Sequence, residues 1–350
     1  MHWGGWLYRW TAALGVGLLP LAAGGAVPIS GWTLVDVGTL GGPGSYGAAI
    51  SNSGLVVGCA DLPAGGAHAF IYDGRTLRDL EAGVNATSAG SCALAVNNDG
   101  VVAGRSSTGE LTIWSGPSVM RLGVEGDVGG IDDRGVVVGS YRRGASSLAF
   151  VFENGALVSL GTLGGDPNAG SSAARINARH QIVGSSNGRA FLYENGAMRD
   201  LGTLGGNGSS AKGLNDRGDI VGMSTDTTAQ PRPFIFDGAM RALPGPGYSG
   251  AIAINNSGQV IGSAEGTYGY LLEGDRYTRL DTLPPVAAMG WRHLEPTGIN
   301  DRGWIVGTAM TRSGDLRAFV LIPGGLEAPI AALLLAHPRP GLLQSTSAPP

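Results

Sequence analysis

Lysine is almost missing from this chain. Lys212 is the only one in 350 residues, and charged side chains make up just 14%. A nucleic-acid partner would call for a basic surface, and the excess of 27 acidic over 23 basic residues argues against that class. Cysteine is nearly as scarce, with Cys59 and Cys92 alone. The five histidines (2, 68, 180, 293 and 337) make no zinc-ligand spacing, with or without those cysteines. There is also no nucleophile elbow, no phosphate loop and no Gly-x-Gly-x-x-Gly after a strand. Neither a metal nor a cofactor is expected. Glycine, by contrast, is abundant at 62 residues. It lacks the three-residue period of collagen, and 43% hydrophobic content is too high for a disordered chain. An all-β fold rich in turns remains.

No apolar run reaches the roughly 20 residues that a membrane span needs. Residues 1–26 read as a signal peptide: Arg9 supplies the positive charge, Thr11 to Ala23 is apolar but interrupted by Pro20, and Leu21 to Ala26 offers small residues for cleavage. No stable span is expected once it is removed. The remainder carries 22 basic and 27 acidic residues, a net charge of about −5. Export permits a disulfide, and a Cys59–Cys92 bridge is expected, with two buried free thiols as the alternative. Residues 325–350 form an irregular tail punctuated by Pro338, Pro340, Pro349 and Pro350.

What organises residues 31–324 is one ten-residue pattern in seven copies, of which Gly298 to Gly307 is the last. The others run Ala49 to Gly58, Ala95 to Gly104, Gly130 to Gly139, Arg175 to Gly184, Gly213 to Gly222 and Ala253 to Gly262. Each carries an apolar residue, usually Asn or Asp, two polar residues, Gly, then mostly β-branched apolar residues and a closing Gly. The closing glycines lie 46, 35, 45, 38, 40 and 45 residues apart. Recurrence near 40 residues is the signature of a repeat fold.

Each unit splits into four short strands. In the fifth, Asn215-Asp-Arg-Gly218 is a tight turn between two apolar runs. A third strand alternates Phe234 and Phe236, and a fourth follows the Asp237-Gly238 turn. The chain opens on a lone fourth-type strand, Leu34 to Leu40, and its last unit, 298–322, holds only the first three types. A ring closed by its own N-terminal strand needs this permutation, because an open array would leave unpaired edges. The expected fold is therefore an all-β, seven-bladed β-propeller of four-stranded antiparallel blades, closed by the N-terminal strand. A parallel β-helix, the runner-up, would need shorter and more regular coils.

A turn repeated in every unit reads as architecture, and the third-strand aromatics read as packing between blades. His180 stands where its turn has Gly elsewhere, which predicts positive φ there and not a metal ligand. Antiparallel alternation puts the short turns on one face and the long, variable connections on the other, where function concentrates. That face offers Tyr46, Arg142, Arg143, Tyr248, Trp291, Arg292 and His293 as candidate ligand-binding residues. Pro284 to Glu295 is its least repeat-like insertion. Trp291 either stands exposed beside cations, suiting a carbohydrate or peptide, or caps the core. Asp127, Asp166, Glu265, Glu295 and Asp315 are the acids that could reach this face as a glycosidase pair.

Units such as Ala253 to Ser263, the His68-Ala-Phe70 segment and Asp200 to Gly206 resemble the HAF repeats of probable extracellular bacterial proteins. The resemblance covers nearly all of residues 33–322. It implies a secreted or periplasmic repeat protein and brings no reaction or catalytic residue with it. Only His68 keeps the family's His; Leu148, Arg189 and Arg317 stand at equivalent places. The expected function is an exported, non-catalytic binding module for a glycan, peptide or cell-envelope protein. The alternatives are a secreted polysaccharide hydrolase or lyase, and a purely structural envelope protein.

Overall fold

A computed structural model describes residues 31–83, 90–166, 169–245, 249–264 and 268–324. The leader at 1–26 and the tail at 325–350 therefore lie outside the described residues.

The fold is an all-β propeller built by repeating one antiparallel unit. In the first unit Ser45–Ile50, Val56–Asp61, Ala67–Tyr72 and Leu77–Asp79 pair in chain order. The fourth unit (from Ser171–Ile176), the fifth (from Gly205–Leu214) and the sixth (from Ser249–Ile254) repeat that order. A fifth sheet takes Arg292–Ile299, Ile305–Met310 and Leu316–Pro323 from the end of the chain. Its fourth strand is Trp32–Asp36, paired antiparallel from Trp32 opposite Pro323 to Asp36 opposite Phe319.

The expectation of seven separate four-stranded blades needs correction: there are five. The second and third units share one seven-stranded sheet, because Ser118–Ile131 is continuous. It pairs Glu110–Ser115 through its first part, up to Glu125, and Val137–Arg143 from Gly126 onward. Gly123, at φ 71°, lies just before the pairing changes partner, and its amide is held by Glu110 at 2.7 Å. No connecting loop intervenes here, whereas the fourth and fifth units are joined by residues 201–204 and the fifth and sixth by residues 243–248. This junction is also where the interval between closing glycines falls to 35 residues.

The closing glycine of each repeat has a steric cause. The register of the inner strand slips opposite these glycines, for example between Gly47 and Ala49, and between Ala211 and Gly213. The slip presses a carbonyl onto the neighbouring strand. A Cβ on Gly58, Gly184 or Gly222 would run into the carbonyl oxygen of Tyr46, Ser172 or Ser210 respectively.

Core packing is between units, as the aromatic pattern predicts. Phe234 clusters with Val183 and Leu192 of the preceding repeat, Phe191 with Val138, and Tyr270 with Val221. Phe70 of the first repeat clusters with Val306 and Val320 of the last. Each such ring is fully buried, and burying one contributes roughly 1.5–3 kcal/mol.

Candidate functional site

The repeated turns surround one end of the molecular axis. In each, the first polar side chain is buried and accepts the amide four residues ahead; in most it also accepts the amide two ahead, as Asn177 does from Arg179 and Gln181 at 3.0 Å. Its amide nitrogen then reaches the next repeat. Asn177 donates to the Asn215 carbonyl at 3.0 Å, Asn215 to Asn255 at 3.2 Å, Asn255 to Asn300 at 3.0 Å and Asn300 to Ser51 at 3.0 Å. Among side chains this short, only asparagine can both accept and donate in this way. Where the repeat carries Ser51 or Asp132, other groups make the link: Ser53 Oγ donates to the Asn98 carbonyl and Arg134 Nη2 to the Ala178 carbonyl. The second polar position forms an outer tier, with Asn256 Nδ2 between Asp216 at 2.8 Å and Asp301 at 3.0 Å.

Inside this rim lies a cavity of about 430 Å³, lined by Asn and Asp of the turns and floored by one Ile, Val or Leu from every repeat. A second cavity of about 180 Å³ continues beneath those residues along the axis. Arg175 supplies the only polar side chain of its lining.

His180 has φ 61°, the positive value expected at its turn. Its ring stands 3.5 Å from Asp132, whose buried carboxylate is also met by Arg134 at 3.0 Å. Among the described residues no group of three or more His, Cys, Asp or Glu side chains is placed to hold a metal.

On the opposite face, Tyr46 is 42% exposed, and Arg142, Arg143, Arg292 and His293 are exposed. Arg142 has a loose ion pair with Glu125 at 3.8 Å, of the exposed kind that adds little stability. Of the two readings of Trp291, the structure shows the core-capping one and not the exposed one. Trp291 is 6% exposed and packs with Val286 and Leu294 in the core. The reason is local: Pro284–Met289 forms a helix ended by Gly290 at φ 69°, and a register slip between Arg292 and Glu295 follows. Trp291 and Leu294 turn inward, while Arg292 and His293 point out. Tyr248 and Glu265 lie outside the described residues.

Register places Tyr46, Asp127 and Glu295 at one equivalent position in three repeats, opposite Cys59, Ser140 and Thr308. Asp127 is paired with Arg105 at 3.2 Å. Asp315 accepts a hydrogen bond from Ser313 at 2.7 Å within its own hairpin, and the Asp166 carbonyl takes the Thr162 hydroxyl at 2.8 Å. Among the described residues no ion pair or hydrogen bond joins Asp127, Glu295 and Asp315 to one another. Cys59 and Cys92 form the expected disulfide, tying the first repeat to the second, with Cα atoms 4.7 Å apart.

Sequence reading missed a serine that recurs at the start of the inner strand. Ser91, Ser171 and Ser209 each accept the amide of the Ala before the buried aromatic, or its counterpart, in the preceding repeat, all at 2.9 Å. Ser45 does the same for Ala318 at 3.0 Å. The recurrence is visible in the sequence, but a lone Ser before a strand carries no signal until its distant partner is known.

No protein family model matches this chain, and no curated protein matches it. Solved structures share its fold at low identity. One is YCF48 bound to D1 peptide, with a TM-score of 0.53 at 10% identity, covering 87% of this chain and 99% of that one. Another is the β-propeller domain of the Trilobed protease from Pyrococcus furiosus, with a TM-score of 0.50 at 12% identity, covering 82% and 95%. This is a β-propeller. Because the fold occurs both in a peptide-bound protein and in a protease, it does not by itself distinguish a catalyst from a binding protein.

Proposed function

We propose that this propeller is an exported, non-catalytic binding module that engages a peptide, glycan or cell-envelope protein through the face opposite its repeated turns. One observation carries the choice of face. The turn-face polar groups are taken up in bonds between repeats, whereas Tyr46, Arg142, Arg143, Arg292 and His293 stay exposed on the other side. Such side chains on a rigid frame suit recognition.

The reading includes a ring of seven repeats closed by the N-terminal strand. It is supported by the pairing of Trp32–Asp36 with the last strand and by the bonds from Asn300 and Ala318 to the first repeat. The disulfide and the HAF-repeat resemblance support export. Among the described residues, no helix is long and apolar enough to cross a membrane.

The test is binding of the purified protein to peptide and glycan arrays, repeated with the triple variant Tyr46→Ala, Arg142→Ala, Arg143→Ala. A specific hit weakened about tenfold or more in the variant is expected, as losing hot-spot contacts worth about 1.4 kcal/mol or more would produce. Two blank arrays from folded protein would refute the reading. Cleavage of an arrayed polymer, lost in Glu295→Gln, would replace it with the hydrolase.

A further inference from the structure

Arg175 breaks the repeat at its most confined point. Its register position, opposite the residue before the closing glycine, is held in the other repeats by Ala49, Ala95, Gly130, Gly213, Ala253 and Gly298. Six repeats thus put a small residue at the axis, and one puts a guanidinium there.

That guanidinium lines the inner cavity of about 180 Å³, whose other lining residues are Ala, Gly, Val, Leu and Ile. Its Nη1 donates to the Gly129 carbonyl at 2.5 Å and to the Ala174 carbonyl at 2.8 Å. Among the described residues no carboxylate pairs with it, and Nε and Nη2 make no hydrogen bond. Burial pushes the group down from its usual value. A charge with no counter-ion in a confined site is costly, and two carbonyl contacts orient it without neutralising it. They also leave one edge of a planar fork, the geometry that takes a carboxylate side-on.

We infer that the axial cavity is a binding site for a small carboxylate with an aliphatic body, its anionic end on Nε and Nη2 of Arg175 and its body against the Ile, Val and Leu side chains. The volume suits a molecule of a few carbon atoms, at roughly 30 Å³ for each water-sized volume displaced.

The experiment is a thermal-melt titration of the full protein with 3-methylbutanoate, formate, phosphate and chloride at matched ionic strength. It is repeated with Arg175→Ala and Arg175→Gln. Arg175→Ala places at the axis the residue already present in three other repeats, so it is expected to fold. Saturable stabilisation of the unaltered protein by 3-methylbutanoate, by about 2–4 °C, and more weakly by formate, is expected. Both variants should lose it. If 3-methylbutanoate gives no saturable shift in the unaltered protein, the site is refuted whatever the variants do. Equal shifts in Arg175→Ala would place the effect elsewhere and overturn the assignment. A shift with phosphate alone would overturn the carboxylate class.

Discussion

Replacing Asn300 by Asp changes one NH₂ group to an oxygen and tests why the repeat asks for asparagine. Asn300 is 3% exposed. Its Oδ1 accepts the amides of Arg302 at 3.1 Å and Trp304 at 3.0 Å, and aspartate can still do this. Its Nδ2 donates to the Ser51 carbonyl at 3.0 Å, across the junction of the last repeat with the first, and aspartate cannot. The loss is one net hydrogen bond, about 0.5–1.5 kcal/mol, plus about 1–3 kcal/mol for burying a carboxylate oxygen with no donor against the Ser51 carbonyl, which keeps the Gly54 amide at 3.0 Å. Partial relief comes from Arg302, which stands to residue 300 as Arg134 stands to Asp132, where the pair is 3.0 Å apart. The expected cost is therefore about 2 kcal/mol. Asn300→Ala, which strands both amides, should cost about 3–4 kcal/mol. Urea unfolding followed by tryptophan fluorescence measures both. An aspartate variant as stable as the original protein, or less stable than the alanine variant, would refute this account of the turn.

Gly222→Ala drives a methyl toward the Ser210 carbonyl and the Phe234 ring, and should cost about 2–3 kcal/mol. Gly155→Ala, with φ 79° and no atom within 4 Å, should cost about 1 kcal/mol, so the order of their melting midpoints is the check. Replacing Cys59 and Cys92 together by Ser opens a loop with a sequence separation of 33, and should lower stability by about 3–4 kcal/mol, read by urea unfolding. Acid should also weaken the fold. Burial alone would raise the Asp219 carboxyl, but hydrogen bonds from Asn215 and Arg217 outweigh it and hold the group below its ordinary 3.8. The Thr228 hydroxyl, with backbone amides, likewise holds Asp226 low. Both folded-state values are depressed, so their contribution is complete above about pH 3.8 and is lost as pH falls through the folded values. The stability difference between the original protein and Asp219→Asn should then be flat from about pH 6 to 4 and shrink below it. A difference that grows on acidification would contradict the sign.

Much of the frame is legible in the sequence because it is written repeatedly. The positive φ at Gly218 and its counterparts, the buried Phe and Tyr of the third strand, and the Cys59–Cys92 pair all follow from local pattern plus the repeat. The pattern fails where a single residue changes the path. Gly123 lets a fourth strand run into the next first strand, so two units share a sheet, and nothing in composition marks that glycine among so many. Trp291 reads either as exposed beside Arg292 and His293 or as a cap on the core, and the helix before it and the register slip after it turn the indole inward. Arg175 opens a copy of the repeat and reads as one more member of it. Only the register shows that it occupies an axial position otherwise kept small.

The claim that the turns are architecture and the opposite face binds is tested most directly by amide hydrogen exchange on the protein alone and with its strongest array probe. Protection of residues 44–48, 140–146 and 290–295, with the turns at 51–54, 97–100 and 300–303 unchanged, is the predicted result. Protection centred on the turns, leaving the opposite loops untouched, would contradict it.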